Sequence, residues 1–309
     1  MKKFNNVIKG TLILTTAGIL SKILGFFYRI YLSRCIGAAG MGLFQIVMPA
    51  AGIVFAICSS GIQTAISKFC CDKKNDFLWL ISGLLLSIPT SLILTFIVYT
   101  NADFIATRFI LNEACSSLLK ILSLSFPFAA FHNCINGFYF AKKKTAIPAF
   151  SQLFEQIIRF FAVYIYVTIY ASDGNASVLC AIYSNLFGEI ASFLYCTCAI
   201  FYTFIKSKCN NTHKKSSLMS KIREMFKFSF PLTANRLLMH IFQSAEAVLV
   251  PAQLIVYGLS KSDSVSIYGI LTGMAMPLIL FPTALTNSLA VMLLPAVSEL
   301  NLENNNKSI

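Results

Sequence analysis

The 309 residues of this chain are 57% hydrophobic and 12% charged, and their mean hydropathy is +0.72. Such a composition excludes an ordinary soluble domain of this length. The formal net charge is +13, but the basic residues lie in short gaps between long apolar segments. This charge therefore indicates membrane topology and contact with lipid headgroups, and no nucleic-acid partner is expected.

The apolar segments predict an all-α, polytopic membrane protein, because a helix needs about 20 residues to cross a bilayer. About eight transmembrane helices are expected. In chain order, the predicted spans lie near residues 11–33, 43–66, 78–99, 117–140, 147–170, 178–205, 230–256 and 266–295.

The distribution of basic residues predicts the orientation of these spans. Of the 25 Lys and Arg residues, 17 lie at the N-terminus, in the second, fourth and sixth gaps between spans, and in the C-terminal tail. Basic residues concentrate on the cytoplasmic side of membrane proteins. Both termini are therefore predicted to be cytoplasmic.

Loop composition divides the chain into three parts. Residues 1–205 form a predicted first lobe of six helices, and residues 206–227 form a basic cytoplasmic linker. Residues 228–309 hold the first two helices of an incomplete second lobe and a polar tail. A weak internal repeat, with similar motifs at 64–68 and 295–299, supports this division.

Charged residues inside the spans are the candidates for a functional site, because charge is expensive in a bilayer. In span one, Lys22 and Arg29 fall with Gly18 and Gly25 on one stripe of the helix. Further polar residues recur in spans five, six and seven: Gln152, Glu155, Gln156, Arg159, Asn185, Glu189, Arg236, His240, Gln243 and Glu246.

Two interpretations of these residues stay open. In the structural one, Glu155 and Arg159 neutralise each other at i, i+4, Arg29 reaches the membrane interface, and Glu189 pairs with a basic neighbour. In the functional one, the polar stripes enclose a water-filled cavity with a positive wall, suited to a phosphate or pyrophosphate group. The predicted substrate-binding residues are Lys22, Arg29, Glu155, Arg159, Glu189 and Arg236.

The sequence predicts no catalytic residue, metal site or cofactor. Its ten cysteines include no CxxC pair. The five aspartates are dispersed in loops, and no histidine pairs with them in the sequence. An enzyme is therefore not expected.

Several motifs resemble the stage V sporulation protein B-like polysaccharide exporters, which belong to the multidrug/oligosaccharidyl-lipid/polysaccharide exporter superfamily. The opening motifs are Lys9-Gly10-Thr11-Leu12, Ser21-Lys22-Ile23-Leu24-Gly25-Phe26-Phe27-Tyr28-Arg29, Ser33-Arg34 and the turn Ile36-Gly37-Ala38-Ala39-Gly40-Met41-Gly42. The runs 268–275, 287–290 and 294–299 are similar to a hairpin in the second lobe of the same family.

The resemblance implies a flippase in the bacterial cytoplasmic membrane. It would move a lipid-linked oligosaccharide, or a cell-wall or spore-cortex precursor, by alternating access of two lobes. Lys22 matches a basic position of the lipid II-type members, and Arg29 matches a second one with an offset of one residue. Their basic cluster in span two has no counterpart in residues 43–66, so the resemblance leaves the headgroup open.

Other interpretations stay open beside this one. Members of the family have more spans, so the chain is expected to be the front part of a longer reading frame or to need a partner chain. Glu155 and Glu189 are compatible with a cation-coupled multidrug exporter of the same superfamily. An inactive fragment or a structural sporulation component is the remaining alternative, and a membrane-embedded transferase lacks the clustered acid–base groups it would need.

Overall fold

The computed structural model describes residues 2–70, 76–170, 177–206, 218–280 and 282. Every regular element among them is helical, which confirms the all-α prediction. The α-helices are α1 (Lys2–Phe55), α2 (Gly61–Phe69), α3 (Asp76–Thr100), α4 (Ala102–Phe104), α5 (Cys115–Ser123), α6 (Phe126–Ala141), α7 (Ala146–Tyr170), α8 (Leu179–Lys206), α9 (Leu218–Val256), α10 (Lys261–Tyr268) and α11 (Met276–Ile279). Three π-helical segments join them, at Ala56–Ser60, Ile105–Phe109 and Gly269–Ala275.

Helix α1 is folded into two arms at Gly37. This residue has φ 68° and ψ −176°, a conformation open almost only to glycine. In a straight helix, Lys22 and Met48 would lie about 39 Å apart along the axis. Here both residues line one cavity, so the second arm folds back beside the first. The predicted turn between spans one and two is thus set by one glycine.

The helices confirm a multi-pass membrane protein. Five are long and apolar enough to cross a bilayer, and the bent pair α5 and α6 is a sixth candidate. The five are Thr16–Phe69, Phe77–Thr100, Ala146–Tyr170, Leu179–Ile205 and Leu218–Val256. The first contains two of the predicted spans because it folds at Gly37. The eighth predicted span is described continuously only as far as residue 280.

The predicted span at 117–140 is not one straight helix. It consists of α5 and α6, which meet at an angle of 45°. Pro127 lies at the beginning of α6 and cannot donate a backbone hydrogen bond to the preceding turn. The chain therefore bends here, before the first residues of α6.

Two apolar clusters lie at opposite ends of the helix bundle. Leu32, Leu122 and Cys180 belong to the first, and Phe138 and Cys196 belong to the second. Along α8, the stretch between Cys180 and Cys196 separates the clusters. The buried polar groups of the candidate site lie in that separating layer.

Helix α9 is longer than a bilayer requires. Its 39 residues span about 58 Å, whereas the hydrocarbon core is about 30 Å thick. The surplus lies at its N-terminal end, where Lys221, Met225 and Ser229 are buried at four-residue spacing. The Nζ atom of Lys221 lies 5.0 Å from the ring centroid of Trp79. This end of α9 therefore packs against α3. Residues 218–227, which the sequence predicts as part of the linker, are helical.

Glycines bring α9 and α10 close to the second arm of α1 and to α2. A Cβ atom at Gly42 would collide with the backbone carbonyl of Val265, and one at Gly61 with Thr233 Oγ1 and the Ser229 carbonyl. At Gly52 it would overlap His240. Small residues allow such close approach between membrane helices. The predicted second-lobe helices are therefore packed directly on the first lobe, and the boundary between the lobes remains a prediction.

Candidate functional site

A cavity of about 460 Å³ opens between the two arms of α1, helix α7 and the end of α11. Its wall combines basic, amide and apolar side chains. The lining residues are Ser21, Lys22, Gly25, Phe26, Tyr28, Arg29, Phe44, Gln45, Met48, Gln152, Gln156, Arg159, Pro277 and Leu280. The cavity thus contains three of the six predicted site residues, all of them basic.

The first arm of α1 supplies one wall with two cations. Lys22 and Arg29 are both exposed, and Gly25 lies between them on the same helix face. Gly25 leaves space, since the nearest atom to a Cβ there would be Gln156 Oε1 at 3.7 Å. In the part of the chain that the structure describes, no carboxylate forms an ion pair with Arg29. Arg29 therefore lines the cavity without an ion-pair partner among the described carboxylates.

The opposite wall holds a buried ionic cluster. Arg159 Nη2 lies 2.6 Å from Glu155 Oε1 and 3.0 Å from Glu189 Oε1. The other carboxylate oxygen of Glu189 lies 2.9 Å from His132 Nε2. Ser192 donates a hydrogen bond of 3.2 Å to Glu155 Oε2. Side chains of α6, α7 and α8 thus form one network, in which Arg159 bridges Glu155 and Glu189, and Glu189 also contacts His132.

The packing of α7 on α8 fixes that guanidinium. A Cβ atom at Gly188 would lie 2.6 Å from Arg159 Cγ and 2.8 Å from its Nε. Only glycine leaves room for the arginine side chain to cross α8 at this point. Arg159 Nε has no hydrogen-bond partner among the described atoms, so the guanidinium retains one unused donor.

The same cluster has the ligand geometry of a metal site, but it already contains a cation. One ligand atom from each of His132, Glu155 and Glu189 lies within 4.8 Å of the others. Arg159 Nη2 bridges the two carboxylates. A metal ion would have to displace this guanidinium, which neutralises part of the same negative charge.

Arg236 does not lie in the cavity of Lys22 and Arg29. It is exposed on α9, whereas His240, Gln243 and Glu246 of the same helix line a smaller cavity of about 240 Å³. The two cavities share Gln45 and Met48 and are therefore neighbours. The structure brings the polar stripe of span seven beside the main site, with Arg236 outside both cavities.

Comparison with known proteins places this helical bundle in a family. A model of the family described as polysaccharide biosynthesis protein matches residues 7–301. The chain belongs to this family. The resemblance to stage V sporulation protein B-like proteins, first seen in the motifs of spans one and eight, agrees with this family match.

Curated relatives of this family member come from Bacillus subtilis (strain 168). Stage V sporulation protein B is 28% identical over 94% of this chain and 58% of its own length. Sporulation protein YkvU is 23% identical over 96% of the chain and 66% of its length. Lipid II flippase MurJ is 23% identical over 96% of the chain and 58% of its length. The chain thus spans between about half and two thirds of these relatives.

Solved structures of transporters share its fold. An outward-facing multidrug resistance MATE family transporter of the MOP superfamily aligns with a TM-score of 0.60 at 14% identity, over 98% of this chain and 68% of that chain. A MOP superfamily transporter from Pyrococcus furiosus, whose structure was reported to show a binding pocket of reverse polarity, aligns with a TM-score of 0.57 at 16% identity, over 94% and 68%. These likenesses show the fold alone.

His132 is the member of the buried ionic cluster that the sequence analysis did not include among the site residues. A lone histidine in a span favours a packed polar group, yet this one contacts Glu189 across 57 positions of the chain. The local signal is weak, since only Asn136 follows it at helical spacing. A titratable side chain in the middle of a long hydrophobic span is the available pointer.

Proposed function

We propose that this chain works as a flippase-type transporter for lipid-linked oligosaccharides or for cell-wall or spore-cortex precursors, by alternating access. The proposal rests on one observation. Three basic side chains, those of Lys22, Arg29 and Arg159, line a cavity inside the membrane bundle. Its relatives include a protein named as a lipid II flippase. Because those relatives are longer than this chain, the proposal concerns the assembly that contains it.

The cavity chemistry fits an anionic headgroup with an attached sugar. Cations that face a cavity within a bilayer attract phosphate, and arginine binds it with parallel hydrogen bonds. Gln45, Gln152 and Gln156 add amide donors and acceptors, which suit sugar hydroxyls. Phe26 and Phe44 provide apolar surface beside them. The proposed partners are therefore a lipid-linked saccharide and the surrounding membrane lipids.

The same proposal includes the topology and the division of labour in the chain. Both termini face the cytoplasm of a bacterial cell, and the protein moves its substrate without chemical conversion. Residues 1–205 act as the first lobe and residues 228–309 begin the second. Arg236 is proposed to contact substrate only when the second lobe moves relative to the first, since it lies outside the cavity in this conformation.

The test is a double variant, Lys22→Ala with Arg29→Ala, in proteoliposomes that contain a fluorescent lipid-linked saccharide diphosphate. Its appearance on the opposite leaflet is followed by quenching. We expect transport to fall at least about tenfold, because loss of each charge-assisted contact costs about 1.5 to 3 kcal/mol. Arg108→Ala is the matched control, since Arg108 is an exposed cation in the loop region before α5. Full transport by the double variant would contradict the proposal.

A second candidate function is cation-coupled multidrug export. Glu155 and Glu189 are intramembrane carboxylates beside the cavity, and the fold neighbours include multidrug transporters. In this mechanism a positively charged drug would compete with Arg159 for the carboxylates. Efflux of a lipophilic cation that is lost in Glu155→Gln, with no flipping of the saccharide lipid, would favour this candidate over the flippase.

A further inference from the structure

Arg159 belongs to two different environments at once. Its side chain lines the cavity together with Lys22 and Arg29. Its Nη2 atom also contacts both Glu155 and Glu189. An anion in the cavity and the two carboxylates of the cluster therefore compete for one guanidinium.

The carboxylates depend on this guanidinium. Glu189 and His132 have side chains that are 9% and 8% exposed, and Glu155 is only 14% exposed. Two carboxyl groups are thus held in a poorly hydrated site by one shared guanidinium, with His132 as the other titratable contact. Removing one partner of a buried ion pair leaves an uncompensated charge, which favours the neutral form of the carboxyl group.

We propose that anion binding at Arg159 is linked to uptake of a proton by the cluster of Glu155, Glu189 and His132. This inference rests on the proposed function, since it requires an anion in the cavity. When the guanidinium turns toward the anion, a proton from the cavity water binds to the released carboxylate or to the His132 that contacts it. When the anion leaves, Arg159 returns to the carboxylates and the proton returns to water.

Among the described titratable groups around Arg159, those of this cluster are the ones suited to accept the proton. Tyr28 of α1 forms its hydrogen bond, 2.7 Å long, with Ser184 and not with Arg159 or a carboxylate. Lys22 and Arg29 of α1 line the cavity and are basic groups that face the anion. Cys196 of α8 contacts Ser151 and not Arg159. Only the carboxylates lose a charge partner when the guanidinium moves, and His132 responds through Glu189.

The linkage is reciprocal. If anion binding takes up a proton, then acidification must strengthen anion binding by the same coupling free energy. For one linked proton, the dissociation constant of the anion changes by at most about tenfold for each unit of pH. The expected direction is tighter binding at lower pH.

The probe is sulfate, a tetrahedral dianion whose own protonation does not change near neutral pH. Sulfate is added to the full chain in nanodiscs in weakly buffered solution at constant ionic strength, and the pH is followed. We expect saturable uptake that approaches one proton per protein. Arg159→Gln should abolish this uptake, whereas Arg108→Gln, which removes the same charge from the outer loop region, should leave it unchanged.

A carboxylate variant gives a result that structural damage would not produce. In Glu155→Gln with Glu189→Gln, Arg159 has no carboxylate competitor, so we expect sulfate to bind about tenfold more tightly and without proton uptake. If the double variant does not fold, Glu155→Gln alone should show the same change in smaller measure. Tighter binding from a variant that removes native contacts is a gain that loss of folding cannot imitate.

The outcomes separate this inference from the proposed function. Saturable sulfate binding by the native protein without proton uptake overturns the linkage and leaves the anion cavity standing. Proton uptake that persists in Arg159→Gln also overturns it, because another group would then be responsible. If Lys22→Ala with Arg29→Ala binds sulfate as well as the native protein does, the anion cavity itself fails. If the native protein binds no sulfate, both proposals fail together.

Discussion

The two walls of the cavity hold positive charge in opposite ways. On the α1 wall, Lys22 and Arg29 are exposed to the cavity, and the glycine between them leaves open space. On the α7 wall, Arg159 is held by Glu155 and Glu189 at 2.6 and 3.0 Å. Arg29 is therefore open to a ligand, whereas Arg159 is already bound by two carboxylates of the protein.

This difference separates two reasons for keeping charge inside a membrane. A cation held by buried carboxylates compensates their charge, so that its removal destabilises the fold, and it stays in place until something competes for it. A cation that borders open space adds little to the fold, and its cost is justified by what it binds. The α1 wall is thus expected to dominate ligand binding, and the α7 wall to dominate stability.

The largest effect is expected from Arg159→Leu. This change leaves Glu155 and Glu189 without their shared cation, so we expect the free energy of unfolding to fall by about 3 to 5 kcal/mol. Reversible unfolding in an SDS titration measures it. The loss should shrink when Glu155→Leu and Glu189→Leu are added, because the uncompensated charges are then also removed.

Arg29→Leu is the matched control on the opposite wall. It removes the same kind of side chain from the same cavity, but no buried carboxylate is left behind. We expect its unfolding free energy to stay within about 0.5 kcal/mol of the native value. Equal losses for Arg29→Leu and Arg159→Leu would contradict the distinction between the two walls.

A smaller effect is expected from a pair of glycines, one in the first arm of α1 and one in α2. At Gly61, the methyl group of alanine would meet Thr233 and the Ser229 carbonyl. We expect Gly61→Ala to cost about 1 to 3 kcal/mol, which is typical of overpacking. At Gly18, a Cβ atom would have no neighbour within 4 Å. Gly18→Ala should therefore be neutral, or stabilise the helix by up to about 1 kcal/mol.

The same SDS titration measures both glycine variants. If Gly18→Ala destabilises the protein as much as Gly61→Ala does, then the first arm is packed as tightly as α2. In that case the open space beside Lys22 and Arg29 would not be a property of that arm.

Hydropathy predicted most of the fold because each crossing requires its own long apolar segment. The positions of α3, α7 and α8 follow the predicted spans closely. Pro127 inside the fourth predicted span indicates a kink, because proline removes a backbone hydrogen bond, and the structure bends there between α5 and α6; hydropathy alone does not give the 45° angle. The fold of α1 at Gly37 was predicted as a turn, since glycine-rich runs between apolar segments commonly break helices.

The site was only partly predictable for a physical reason. Helical spacing places Glu155 beside Arg159, and the structure has this pair. Spacing within one helix does not show which other helix faces it, so the sequence alone could not reveal the contacts of Glu189 with Arg159 and His132. Arg236 was grouped with the cavity cations because it is an intramembrane charge, but the rotation of α9 leaves it exposed elsewhere.

The smallest effect is expected from Asp103, a carboxylate outside the candidate spans. Hydrogen bonds from Ser116 and from Lys120, whose Nζ lies 2.9 Å away, hold the pKa of this exposed carboxyl below its usual value. A lowered pKa gives stability that is present above the unfolded pKa of about 4 and is lost as the pH falls through the folded value. Between pH 8 and 5 the Asp103 contribution is therefore constant.

Asp103→Asn should consequently lower the thermal midpoint slightly, by the same amount at pH 8 and at pH 5, and the difference should narrow only below about pH 4. A thermal unfolding series across this range measures it. A difference that changes between pH 8 and 5 would mean that Asp103 titrates there, against the direction of its pKa shift. When Lys120 is lost, water solvates the exposed Asp103 carboxylate. The buried side chains of Glu155 and Glu189 are much less accessible to water. The same pairing of acid and base therefore matters little between the exposed ends of α4 and α5 and much in the buried cluster.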